Sequence, residues 1–275
     1  MNHNLPRTSV ASTALLLALL PLTALADAAL STGANRDTYV SSGFNGATDL
    51  SVRNFGAAGA AMISGPTAEQ DRTQNALFSF DAAAIKSGFD TQFGVGGWAV
   101  SGIDVSFNSN FHVLDSQPNN GSFNKISAGA FALDWLGNDD WIEGIGGGNG
   151  GIIPPATGIT WDSLDSFLAT TTRESAGTFL WDGLPAPENT NVRAAWNLTL
   201  AAGLVADIRS GGIVSFLGSP TAGSEVGYLF NTTTQQNPAL LYVSAVAVPV
   251  PEPATFALLA IGLVGLGGAL RRKRG

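Results

Sequence analysis

The densest group of residues able to do chemistry is Asn138-Asp139-Asp140-Trp141-Ile142-Glu143, which runs into a glycine-rich segment at 146–151. Carboxylates, an amide and the carbonyls of an irregular loop are the oxygen donors a hard cation selects, so Asp139, Asp140 and Glu143 are candidate calcium ligands. Their spacing is not that of an EF-hand loop, and an acidic loop facing water accounts for the same residues. These three carboxylates are also the only clustered set for glycoside hydrolysis, which needs two carboxyl groups held roughly 5–9.5 Å apart. No recognisable active-site string accompanies them, so the expectation is a protein that is not an enzyme. His112 is the sole histidine once the first 26 residues are set aside. It excludes a multi-histidine zinc centre of the common kinds, and no Gly-x-Ser-x-Gly elbow accompanies it.

Trp141 and Trp161 flank the acidic loop. An indole can stack on the apolar face of a sugar while its N–H meets a polar partner, so both are candidate contacts for a polysaccharide. Packing in a core is the competing reading for each. Trp98 and Trp196 stand in alternating segments and are expected to be buried.

The elements that must position these residues are mostly strands. Alternation is clearest at 98–107, where Ile103, Val105 and Phe107 face one way and Asp104 and Ser106 the other. Similar runs stand at 37–40, 77–80, 123–133, 178–181, 194–200, 213–217, 226–230 and 239–248, separated by stretches rich in Gly, Asn, Ser and Pro. Three short helices are predicted: 82–87 closed by Gly88, 162–169, and 200–210 closed by Gly211. Many short strands with few helices, and no repeat of fixed period, predict a mainly β chain: one jelly-roll-like sandwich over 27–248.

Charge and cysteine narrow the function classes. Of 13 basic and 21 acidic residues, five basic and one acidic lie outside 27–250, leaving 8 and 20 and a net of −12. Such a domain repels nucleic acid, whose binding requires phosphate neutralisation by Lys and Arg. The absence of cysteine excludes a disulfide framework and any thiolate metal site, so stability must come from a core.

Both ends read as addresses. A basic start at Arg7, an apolar run at 10–20 and the small-x-small pattern Ala24-Leu25-Ala26 predict a signal peptide cleaved after Ala26, with a cut after Ala28 offering the same spacing. At the other end stand Pro251-Glu252-Pro253, an uncharged stretch at 254–270, and Arg271-Arg272-Lys273-Arg274. The 17 apolar residues make about 25 Å of helix, slightly short of a hydrocarbon core near 30 Å, which flanking residues or local thinning can accommodate. The basic cluster then fixes the end at 271–275 in the cytoplasm and leaves the domain outside.

This order of Pro-Glu-Pro, apolar helix and basic end resembles the PEP-CTERM signal, a tag read by exosortases in Gram-negative bacteria that make extracellular polysaccharide. The resemblance implies recognition and cutting near Pro251, Glu252 and Pro253, with transient anchoring in the inner membrane and delivery to the cell surface. The interior also resembles DNRLRE-type modules. The strings are Asp37-Thr38-Tyr39-Val40, Leu77-Phe78-Ser79-Phe80-Asp81, Asp140-Trp141-Ile142-Glu143-Gly144 and Gly158-Ile159-Thr160-Trp161, continued by Gly227-Tyr228-Leu229-Phe230-Asn231 and Pro238-Ala239-Leu240. The namesake string is absent, and Asp71-Arg72-Thr73-Gln74-Asn75 stands at its place. These modules are jelly rolls related to carbohydrate-binding modules, which implies association with extracellular polysaccharide and a possible calcium ligand at Asp37. The rival expectation is a structural or adhesive module that binds protein, with a glycoside-active enzyme third.

Overall fold

A computed structural model describes residues 27–68, 71–109, 127–147, 158–183, 193–235 and 237–248. The strands are β1 (Asp27–Ser41), β2 (Phe44–Asn45), β3 (Thr48–Asp49), β4 (Ala60–Ser64), β5 (Gln74–Asp81), β6 (Trp98–Asn108), β7 (Gly129–Leu136), β8 (Arg173–Trp181), β9 (Arg193–Asn197), β10 (Ile213–Pro220), β11 (Gly227–Asn231) and β12 (Leu240–Ala247). The helices are α1 (Ala83–Phe93), α2 (Trp161–Ala169) and α3 (Ala202–Ser210). The chain is mainly β and forms a sandwich, as the strand pattern predicts.

β1 is the hinge of the architecture. Its first half pairs with β12, from Asp27 opposite Val246 to Gly33 opposite Leu240. After an irregularity between Ala34 and Arg36 its second half pairs with β5. The strand therefore passes from one sheet to the other, because an extra residue bends a strand and sharpens its twist. One sheet runs β1-β12-β6-β9 and the other β1-β5-β10-β7-β8, every pair antiparallel. β4 and β11 pair with each other, and β4 joins β5 where Ser64 meets Gln74.

Between the sheets lies an aromatic core. Phe78 of β5 meets Phe107 of β6 edge-on at 4.9 Å and stacks on Phe216 of β10 at 5.4 Å. Phe80, Phe131, Tyr228 and Phe230 complete it, all essentially without solvent contact. Ile103, Val105 and Phe107 face this core as their alternation predicts. A second, smaller core of Val40, Leu77, Leu136, Trp141, Ile159, Leu164 and Leu217 lies beneath α2, which adds Phe167 and Leu168. Its strand members alternate with the inward residues of the main core, so it occupies the other face of the second sheet.

Each helix begins by a different device. Thr160 and Ser163 form a reciprocal capping box at α2, the Ser163 amide donating to Thr160 Oγ1 and the Thr160 amide to Ser163 Oγ. Asp81 Oδ1 accepts the Ala83 amide at α1. α3 has no capping side chain of its own, and Glu174 of β8 accepts the Gly203 amide at 3.0 Å instead. Where the sequence predicts α1 to stop at Gly88, the helix continues to Phe93. Gly88 is a contact and not a terminator: a Cβ there would sit 2.5 Å from Leu30 of β1. α3 does end at Gly211, whose φ of +73° places it in the left-handed region. Gly211→Ala is expected to cost about 1 kcal/mol through that conformation alone, lowering Tm by roughly 2–4 °C in thermal unfolding.

Two strands carry little sequence signal. β4 is Ala-Ala-Met-Ile-Ser with four of five residues buried, and the first half of β1 is dominated by small residues. β7 begins at Gly129 within the predicted run 123–133, of which residues 123–126 lie outside the described residues. Among the described residues no helix is long and apolar enough to cross a membrane. The predicted span at 254–270 lies outside them, as do the signal segment with Ala24 and Ala26, His112, residues 148–151, Pro251, Glu252, Pro253, Arg271, Arg272, Lys273 and Arg274.

Candidate functional site

The acidic segment that the sequence singles out leaves β7 at Leu136 and folds back over the second sheet. Three residues from other parts of the chain hold it there, two by their side chains and one by its backbone amide. Arg36 of β1 donates through its guanidinium to the carbonyls of Trp141 (2.9 Å) and Asp139 (3.2 Å), and through Nε to Ser79 Oγ (3.3 Å). The cation also lies over the Trp141 ring, 4.7 Å from its centroid. Carbonyl oxygens and a π face thus solvate the Arg36 charge.

Asn54 is the second clamp, and it is 1 % exposed. Its Nδ2 donates to the carbonyls of Glu143 (2.7 Å) and Ile159 (3.1 Å), and its Oδ1 accepts the amides of Gly146 (2.9 Å) and Gly56 (3.2 Å). One amide group satisfies two donors and two acceptors on three segments. The backbones close on it because they carry no Cβ: one at Gly146 would lie 1.6 Å from the Asn54 carbonyl oxygen, and one at Gly144 2.1 Å from Asn54 Oδ1. Ala57 donates to Gly146 and Ile159 to Ile142, which completes the seam.

Asp37 is the third. It is 1 % exposed, and its carboxylate accepts the Thr233 amide (2.7 Å) and hydroxyl (3.1 Å). Its own amide donates to Glu143 Oε1 at 3.2 Å, which brings Glu143 beside it. Burial raises the Asp37 pKa to about 7 against the opposing pull of the Thr233 hydrogen bonds, and the nearby Glu143 charge adds to the rise. Glu143 is raised as well, first by burial, with the Asp37 amide and Arg36 opposing.

The three carboxylates read as one set have three separate surroundings. Asp140 is exposed, Glu143 turns to the Asp37 amide, and Asp139 is partly buried near Arg36, with its pKa raised chiefly by burial. Among the described residues no group of three His, Cys, Asp or Glu is placed to hold a metal ion. The segment's observed contacts seat a loop on a sheet.

The tryptophans divide. Trp141 is 2 % exposed, its Nε1 donates to Ser215 Oγ (3.1 Å), and its ring packs under Arg36. This corrects its reading as a sugar contact: the ring turns inward because its loop lies against an apolar sheet face that needs covering. Trp161 opens α2 and is partly buried against the same small core. Trp98 is buried as predicted, its Nε1 donating to Asp90 at 2.8 Å. Trp196 is only half-buried, packed against Phe131 and Tyr228 near the edge of the sandwich. Arg36 and Asn54 are the organising residues that sequence reasoning missed. The one available signal was the glycine content at 144, 146 and 158, which marks close backbone approach around a polar anchor.

No curated protein matches the chain. The description that does match covers residues 249–273, directly after β12, and it is the PEP-CTERM protein-sorting motif.

Proposed function

We propose that the chain is an exported surface protein whose tail delivers it to an exosortase-type enzyme, and that the sandwich is a non-enzymatic envelope or matrix module. The observation that carries this reading is the sorting motif at 249–273, set immediately after the last strand of a β domain. The test is replacement of Pro251, Glu252 and Pro253 by alanine in the native host. The expected result is an unprocessed chain retained in the membrane fraction. Unchanged size and release would overturn the reading.

Association with extracellular polysaccharide belongs to the same proposal. With Trp141 inside, it rests on Trp161 and on the polysaccharide-producing hosts that the tail implies. The likeness to DNRLRE-type jelly rolls supports it through the two-sheet architecture. The second reading is a structural or adhesive module, and β8 favours it. Among the described residues that strand pairs only with β7, and its Leu180 is 80 % exposed; a strand edge without a partner is a template for pairing with another chain. Retention of the purified protein on the host's own polysaccharide, with and without calcium, separates the two. Binding that Trp161→Ala weakens supports the first reading, and no retention under either condition supports the second.

A further inference from the structure

Both predicted addresses leave the folded domain at one end. Asp27, directly after the predicted signal cleavage site, pairs with Val246, and Val248, directly before the sorting motif, donates its amide to Gly97 at 2.9 Å. The same end carries the turn at 94–97, closed by the Gly97 amide on the Gly94 carbonyl. Gly94 and Gly96 both have positive φ, and Val95 between them is 88 % exposed, the most exposed of the large apolar side chains described. The opposite end of this sheet lies far away. Ser106, opposite both Leu240 and Ala195, is eight residues beyond Trp98 along β6, about 27 Å at the usual rise.

Resting on the anchoring reading above, we infer that the turn at 94–97 is the membrane-contact surface of the anchored precursor, with Val95 at the boundary between headgroups and acyl chains. Five residues separate Val248 from Ala254, so the path between them spans at most about 20 Å. The headgroup layer takes about 5–8 Å of that length. The tether therefore holds this end of the domain within roughly 15 Å of the headgroups, and the exposed valine is the side chain suited to enter them. The acidic domain supplies no electrostatic attraction to anionic lipid, so contact comes from the tether and from apolar burial.

The chain lacks cysteine, which permits single-site labelling. Val95→Cys and Ala195→Cys, both at exposed positions, are labelled with an environment-sensitive fluorophore in the full chain and reconstituted into phosphatidylcholine vesicles carrying a shallow spin-labelled lipid. The expected quenching is at least about threefold stronger at position 95. A flexible insert of about twelve Gly and Ser residues between Val248 and Pro249 should bring position 95 toward the level of position 195. Equal quenching at the two positions in vesicle-bound protein overturns the inference, as does quenching at 95 that the insert leaves unchanged. Failure of the full chain to sediment with the vesicles overturns the anchoring reading itself, so the two failures are distinguishable.

Discussion

Asn54→Ala is expected to destabilise the protein by about 3–4 kcal/mol. The truncation leaves two carbonyls and two amides without their partner, those of Glu143, Ile159, Gly146 and Gly56. Each such group costs about 1–3 kcal/mol when it stays buried and unpaired. Water entering the vacated space recovers part of the loss, which brings the sum below the simple total. Asn54→Asp separates the parts. It keeps the acceptor for the two glycine amides but sets a carboxylate against two carbonyls, so its loss at pH 8 should match that of alanine and be partly recovered in acid, where a protonated carboxyl donates again. Asn197, an exposed residue bonded to Asp104 at 3.2 Å, is the control, and its alanine variant should stay within about 0.5 kcal/mol. Equilibrium unfolding in urea measures all three. Hydrogen exchange at the Gly56 and Gly146 amides should rise in Asn54→Ala before global unfolding, because the loop is then a locally opening unit. A loss below about 1 kcal/mol would remove Asn54 from its place as the anchor of the seam.

The contrast between Asn54 and the strands shows what the sequence made legible. β6 and β12 could be found because one face of each meets the aromatic core and the other is more open, which writes a period of two into the residues. β4 could not, since it is covered on both faces and its small side chains carry no alternation. The bend of β1 between the two sheets was equally silent: it depends on one irregular step near Asn35, which composition does not encode.

The same physics explains how the candidate site reads. Asp139, Asp140 and Glu143 stand out by charge, and charge on a loop suggests a ligand; the contacts that hold the loop are the Arg36 guanidinium, the Asn54 side-chain amide and the Asp37 backbone amide, contributed from distant positions. For Trp141 the sequence left sugar contact and core packing both open, and the loop turns this one side chain inward while Asp140 and Ile142 beside it face water. Trp161 begins a helix whose start is marked by Thr160 and Ser163. A long-range polar anchor such as Asn54 has no periodic signature, and only the clustering of glycines around it offered a sign.

Asp37 supplies the second large effect, and its sign is unusual for a carboxylate. A buried Asp with a folded pKa near 7 against an ordinary value of 3.8 binds its proton more tightly in the native state than in the unfolded one. Stability is therefore highest below the unfolded value, falls as pH rises between about 4 and 7, and levels off above. A shift of about three pH units corresponds to about 4 kcal/mol over that window. Glu143, Asp139, Asp134 and Asp207 are raised in the same direction, burial being the first cause in each, so the native protein should lose stability with rising pH more steeply than one group alone requires. Asp37→Asn removes the share of a single proton. At pH 4 the variant should lie within about 1 kcal/mol of the native protein, since a neutral amide replaces a neutral acid and Thr233 can still donate to its oxygen. At pH 8 the variant should be more stable by about 2–4 kcal/mol, less than the full linkage because the Thr233 bonds to a carboxylate are stronger than those to an amide. Urea unfolding across pH 4–8 tests this as a difference of slopes, about 1.4 kcal/mol per pH unit near pH 5–6. Parallel curves for the two proteins would show that Asp37 titrates near its ordinary value, and that the carboxylate is solvated in the native state despite its place beneath Thr233.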